Sequence, residues 1–121
     1  MESIRITLID MSPLLREIVR ETLVREPDLD VVGDHDADVD VRAAAERDDA
    51  DFVIVGSGAT GRAGVRSLVA TNRRVRVLEL HGDGRESVLY ELRPHRVPLG
   101  EISPDTLLRT IRAVPTWDAE P

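Results

Sequence analysis

Apolar residues along this chain form short unbroken runs that alternate with stretches of helical spacing. The clearest run is Phe52–Val55, which leads directly into a glycine-rich stretch. A short run rich in β-branched residues is typical of a strand that is covered on both faces. Further runs predict strands at Ile4–Ile9, Leu29–Gly33, Arg73–Leu80 and Val97–Leu99.

Two Ser-Pro pairs mark the starts of helices. Ser12 and Pro13 supply a hydroxyl N-cap followed by proline at the first helical position, and Ser103 and Pro104 repeat this chemistry near the end of the chain. The first helix carries apolar or small side chains at helical spacing, namely Leu14, Leu15, Ile18, Val19, Thr22 and Leu23. Three further helices are predicted, at Val41–Arg47, Arg62–Thr71 and Glu86–Leu92.

The regular alternation of strands and helices defines a fold class. Short connections between alternating elements favour a parallel sheet with helices on both faces. At this length we expect an α/β three-layer sandwich with five parallel strands in the flavodoxin-like order 2-1-3-4-5. The pattern predicts one domain over residues 1–114, and residues 115–121 read as a polar tail or the start of a linker.

Composition narrows the chemistry. Aromatic residues make up only 2% of the 121, so the core must be aliphatic, and a net charge of −7 argues against direct binding to nucleic acid or to anionic membranes. There is no cysteine, which excludes disulfides and thiol catalysis. All sixteen basic residues are arginine, which excludes Schiff-base and P-loop lysine chemistry. With no long apolar run, we expect a cytoplasmic protein.

Several segments, in order and at matching spacing, resemble one family. The stretches Ile6–Arg20, Glu26–Gly33, Gly61–Gly64 and Ile102–Val114 are similar to the bacterial response-regulator receiver domain of two-component signalling, of the type usually linked to a helix-turn-helix output domain. The likeness covers nearly all of residues 4–114. It implies the receiver fold, with its functional pocket at the carboxyl ends of the strands.

The positions that carry the family's chemistry do not match. Where the resemblance implies an acidic pair, a phosphoacceptor aspartate, a hydroxyl residue and a lysine, this chain has Asp10-Met11, Gly56, Glu79 and Gly100. Aspartyl-phosphate chemistry needs a carboxylate nucleophile, a divalent ion and a fixed cation. We therefore expect a degenerate receiver pocket that has no catalytic residue and binds no metal or cofactor. We also expect that the protein is not an enzyme.

The resemblance implies an atypical, phosphorylation-independent signalling module that acts through protein–protein interaction, as the regulatory domain of a transcriptional regulator. Such domains commonly form dimers through their fourth helix, fifth strand and fifth helix, here about Glu86–Val114. Tyrosine and arginine are enriched at interfaces. The candidates for this surface are Val88, Tyr90, Leu92, Arg93, Arg109 and Arg112.

An alternative reading is a sensor of a nucleotide or another small ligand. The stretch Gly56–Gly61 fits G-x-G-x-x-G directly after a predicted strand, and Glu79 lies eighteen residues beyond it, where a dinucleotide site places an acid for the ribose. The ligand loop would consist of Gly56, Ser57, Gly58 and Gly61. Against this reading, two β–α units precede the motif, whereas such a motif normally opens its domain.

Overall fold

The computed structural model describes residues 3–36, 40–56, 75–90 and 96–112. Over these ranges the chain forms six strands, three α-helices and one 3-10 turn at Gly82–Gly84. In chain order the elements are β1 (Ile4–Ile9), α1 (Pro13–Val24), β2 (Leu29–His35), α2 (Val41–Asp48), β3 (Phe52–Val55), β4 (Arg76–His81), β5 (Glu86–Tyr90), β6 (Arg96–Pro98) and α3 (Pro104–Arg112).

The strands form one sheet in the order β2-β1-β3-β4-β5-β6. The three pairings among the first four strands are parallel, which confirms the predicted order 2-1-3-4. The last two pairings, β4 with β5 and β5 with β6, are antiparallel, so the prediction of an all-parallel five-stranded sheet is wrong on this side.

The departure comes from residues 86–90, where the helix predicted over Glu86–Leu92 is replaced by the strand β5. The 3-10 turn reverses the chain after β4, with Gly82 at φ 55° and Gly84 at φ 95°. Both are conformations that glycine adopts without strain. An Asp-Gly pair between two apolar runs is a hairpin signal, and it outweighs the weak helical spacing that follows.

The strand predicted at Val97–Leu99 corresponds to β6 and lies at the edge of the sheet. Because β5 occupies the place beside β4, β6 is two strands away from β4, although it runs in the same direction. The helix predicted over Arg62–Thr71 and the tail at 115–121 lie outside the described residues.

Helices cover both faces of the sheet. One core lies between the sheet and the helices α1 and α3, and the other lies between the sheet and α2. The core is aliphatic apart from Phe52 and Tyr90, as composition predicts. Alternate residues of the central strands β3 and β4 feed the two cores, which is why their sequences read as continuous apolar runs.

Side-chain caps fix the starts of the helices. The hydroxyl of Ser12 accepts the backbone N–H of Leu15 at 3.4 Å, and that of Ser103 accepts the N–H of Thr106 at 3.2 Å. Asp40 caps α2 by accepting two backbone N–H groups. The two starts predicted from Ser-Pro pairs are thus confirmed.

The guanidinium of Arg76 on β4 is buried, and it ties the end of α3 to the sheet. It donates to the backbone oxygens of Thr110 at 3.0 Å and Ile111 at 2.6 Å, and it lies 5.0 Å from the ring centroid of Phe52. A cation at these carbonyls also opposes the negative end of the helix dipole.

The apolar stripe of α1 is narrower than the sequence suggests. Leu15, Val19 and Leu23 are buried, whereas Leu14 and Ile18 expose 62% and 48% of their surface. Successive residues of a helix are rotated by about 100°, so a stripe that includes both the buried and the exposed apolar residues of α1 is wider than the surface that contacts the sheet. Leu14 and Ile18 therefore face outward, and Ile18 lines the groove between α1 and α3.

Candidate functional site

The carboxyl ends of β1 and β3 meet at one edge of the sheet, where the receiver resemblance implies the pocket. Asp10 follows β1 in a left-handed conformation, with φ 55°, and its N–H donates to the backbone oxygen of His35 at 3.0 Å. Gly56 follows β3, and its N–H donates to the backbone oxygen of Ile9 at 2.8 Å. Both loop starts are therefore fixed by backbone hydrogen bonds to neighbouring strands.

The backbone of Gly56 packs directly against that of Asp10. A Cβ built on Gly56 would lie 1.9 Å from the backbone oxygen of Asp10 and 3.1 Å from the Cα of Met11. Real Cβ atoms essentially never come closer than 3.0 Å to such an atom. The position that holds the phosphoacceptor in the receiver pattern thus has no room for any side chain.

Met11, at the position of the family's second acid, is a core residue. It is 6% exposed and packs in the same core as α1 and α3. A carboxylate at this depth would need partners to offset its desolvation. Asp10 is thus the single acid of the expected pair, and two of the degenerate-pocket residues are explained by packing.

Glu79 lies near the end of β4 and is 5% exposed. Its Oε1 lies 2.6 Å from Nε2 of His81 and accepts a hydrogen bond from the hydroxyl of Tyr90 at 3.4 Å. The strand pairing places it beside Val55 of β3. This carboxylate is therefore engaged within the protein, which weakens its expected role as a ligand for a ribose hydroxyl.

Gly100, at the position of the family's lysine, is not a neighbour of β4. It follows the edge strand β6, and its backbone oxygen accepts a hydrogen bond from the Ser87 hydroxyl at 3.0 Å. Two strand spacings, about 10 Å, separate β6 from β4. The predicted pocket is thus corrected: the structure brings Asp10, Met11 and Gly56 together, and the inserted strand β5 separates Gly100 from the end of β4.

The predicted ligand loop and interaction surface are described only in part. In the predicted ligand loop, the structure describes Gly56, whereas Ser57, Gly58 and Gly61 lie outside the described residues. In the predicted interaction surface, Leu92 and Arg93 also lie outside them. Val88 and Tyr90 are 7% and 2% exposed, since they pack in the core beneath α2. The predicted interaction surface is therefore corrected: the strand β5 forms where a fourth helix was expected, and it buries the side chains of Val88 and Tyr90. Arg109 and Arg112 are exposed on α3.

Arg112 connects the end of α3 to the segment that links α1 to β2. Its Nε and Nη2 donate to the carboxylate of Asp28 at 3.0 and 2.9 Å, and Nη2 also contacts Glu26. The hydrogen bond from Arg112 holds the pKa of Asp28 below its ordinary value, and the two carboxylates raise the pKa of Arg112. This surface arginine is thus held in place by charge-assisted bonds.

A second polar cluster lies at the end of α2, and the sequence pattern does not predict it. The Oδ2 of Asp48 accepts a hydrogen bond from the buried Thr7 hydroxyl at 2.9 Å and lies 2.8 Å from Nε2 of His35. A Cβ on Gly33 would lie 1.9 Å from the same oxygen. The only signal in the sequence was a threonine inside an apolar strand. Because the carboxylate is enclosed by these partners, the cluster fastens α2 to the sheet.

Among the described residues, no group of three or more His, Asp or Glu side chains is placed to hold a metal ion. No helix in the described ranges is long and apolar enough to cross a membrane. Comparisons of the chain with protein-family models, with curated proteins and with solved structures find no match.

Proposed function

We propose that this chain is a receiver-like signalling module that does not accept phosphate and that works by binding protein partners. The parallel order β2-β1-β3-β4, with helices on both faces, supports the flavodoxin-like receiver fold. The antiparallel strand β5 takes the place of the family's fourth helix. We further propose that the module belongs to a cytoplasmic regulator of transcription, as the resemblance implies.

The close approach of Gly56 to Asp10 carries this proposal. In a receiver, the nucleophile projects from the end of the third strand. Here a side chain at that point would collide with backbone atoms, which cannot move aside as a flexible side chain would. The pocket also has no lysine to stabilise a phosphoryl group, since the chain contains none.

The remaining functional features of the proposed module are its surfaces. Without phosphorylation at the pocket, regulation by the proposed module rests on binding alone. The exposed arginines of α3 and the exposed apolar side chains of α1 lie on adjacent helices. Their combination of apolar and charged groups is typical of protein interfaces.

Phosphotransfer tests the proposal directly. The protein is incubated with acetyl phosphate and Mg²⁺, and its intact mass is measured; a receiver domain that carries the full acidic pocket serves as the positive control. We expect the control to gain one phosphoryl group and this chain to keep its mass. A stoichiometric gain of one phosphoryl group by this chain would overturn the proposal.

A further inference from the structure

The outward sides of α1 and α3 form one continuous surface, here called the α1–α3 face. Both helices pack on the same face of the sheet. Ile18 and Leu108 line a groove of about 380 Å³ between them. The face consists of Ile18, Glu21, Arg25 and Glu26 from α1 and the residue pair that follows it, and of Pro104, Asp105, Leu108, Arg109 and Arg112 from α3.

The two helices of this face run in the same direction. Pro104, at the start of α3, lines the groove together with Ile18 in the middle of α1. Arg112, at the end of α3, bonds to Glu26 and Asp28, which follow the end of α1. Their N-terminal ends therefore lie on one side of the face and their C-terminal ends on the other.

Charge is ordered along this common direction. On α1, Glu21 is followed one turn later by Arg25, and the two side chains form an ion pair at 2.9 Å. On α3, Asp105 is likewise followed one turn later by Arg109. The face thus carries an acidic row, Glu21 with Asp105, and a basic row of Arg25, Arg109 and Arg112, whose charge exceeds that of Glu26 and Asp28 beside it. With three arginines and four carboxylates, Asp28 included, the face has a net charge of −1, whereas the whole chain carries −7.

Symmetry then selects the occupant of the face. If a two-fold axis runs perpendicular to the helices within the interface, the helices of the second copy lie antiparallel to those of the first. The basic row of each copy then meets the acidic row of the other. A two-fold axis along the helices would instead place like charges on like. Closed two-fold dimers use the same patch on both subunits, and complementary charge favours the register that pairs opposite rows.

We propose that the α1–α3 face is the site at which two copies of this chain associate, as an antiparallel, isologous dimer. The groove beside Leu108 supplies the apolar centre, the charged rows flank it, and the exposed Ile18 extends the apolar surface toward the N-terminal ends of the helices. The near balance of charge on the face lets two acidic chains approach each other there. This inference rests on the proposed function, of which it names a partner.

Charge reversal in matched variants tests the dimer. One variant carries Arg25→Glu and Arg109→Glu, and the other carries Glu21→Arg and Asp105→Arg. We expect each variant to self-associate at least about tenfold more weakly than the native chain by sedimentation velocity, because like rows then face each other. An equimolar mixture should restore a dimer that contains one copy of each, because its rows are again complementary.

The control variant carries Arg42→Glu and Arg47→Glu on α2, where both side chains are exposed and lie away from the face. It changes the net charge by the same amount as the first variant, and we expect it to dimerise like the native chain. A mixture that stays monomeric, or reversed variants that dimerise as well as the native chain does, would overturn the proposed interface.

A thiol cross-link gives a second test that does not depend on charge. The chain has no cysteine, so Leu108→Cys introduces a single thiol near the proposed two-fold axis. We expect mild oxidation to join two copies through this position, and not through the control Arg47→Cys. A native chain that is monomeric and never cross-links would contradict the dimer and leave the proposed function intact. A dimeric chain that accepts a phosphoryl group would contradict the proposed function and leave the dimer intact.

Discussion

Substitution of Gly56 by alanine is the smallest change that tests the packing at the end of β3. The added Cβ would lie 1.9 Å from the backbone oxygen of Asp10. The two loop starts must separate by about 1 Å to reach even a 3.0 Å contact, the shortest that real Cβ atoms show. That movement also strains the buried hydrogen bond of 2.8 Å from the Gly56 N–H to Ile9.

The expected cost combines these two effects. Overpacking in a well-packed region costs about 1–3 kcal/mol, and weakening one buried backbone hydrogen bond adds about 1 kcal/mol. We therefore expect Gly56→Ala to lower the free energy of unfolding by about 2–4 kcal/mol. For a domain of this size that corresponds to a fall in Tm of roughly 8–16 °C.

Gly100→Ala is the matched control, because it makes the same chemical change without a collision. Gly100 has φ 75°, and a Cβ there would have nothing within 4 Å. Its cost is limited to backbone strain of about 1–2 kcal/mol. Both variants are compared with the native chain by chemical denaturation and by thermal melting. If Gly56→Ala proves no more destabilising than Gly100→Ala, then Gly56 has room for a side chain and steric contact does not close the pocket.

Three further predictions concern other parts of the molecule. Arg76→Met should lower the free energy of unfolding by about 2–4 kcal/mol, because it leaves the final carbonyls of α3 without their buried donor. Faster amide exchange confined to α3 would show that the effect is local, and an unchanged unfolding midpoint would refute the prediction. Asp28 has a lowered pKa, so its contribution to stability is present above its ordinary value of about 3.8 and is lost as the pH falls through the lowered value. Arg112→Gln should raise the pKa of Asp28 toward that ordinary value in an NMR titration, and no change would contradict the role of Arg112. A thermal-shift screen of nucleotides should be flat, whereas a ligand at 100 times its Kd would stabilise the protein by about 2.7 kcal/mol and favour the sensor alternative.

The sequence was sufficient where local signals and burial agreed. Ile4–Ile9 and Phe52–Val55 form strands with the predicted bounds, because each is an apolar run that is buried in the sheet. The start of α1 followed from the capping chemistry of Ser12, which acts within one turn. The parallel order of the first four strands followed from the alternation of elements, because short right-handed connections leave few other arrangements.

The sequence was insufficient where distant contacts decide the structure. Apolar residues at 88, 89 and 92 fit one side of a helix, but Val88 and Leu89 lie in a strand paired on both sides by β4 and β6. Helical spacing over so few residues is a weak signal, and the sheet supplies hydrogen bonds that a short helix would lack. Ser87 adds a bond to Gly100 that no local pattern announces.

The candidate site was predicted in composition but not in geometry. The sequence shows glycine at position 56, where the receiver resemblance places an aspartate, and it contains no lysine. The physical reason for glycine at this position is not visible there, because it depends on the approach of Asp10 from a strand far away in the chain. The partners of Glu79 were likewise hidden, since Tyr90 reaches it through the unexpected strand β5.

An NMR titration with beryllium fluoride and Mg²⁺ tests the closed pocket most directly, because this anion mimics a phosphoryl group on an aspartate. We expect the amide signals of Asp10, Met11 and Gly56 to stay in place at every concentration, while the signals of a receiver with a complete acidic pocket shift in the same buffer. Saturable shifts of this chain that cluster at the carboxyl ends of β1 and β3 would contradict this prediction.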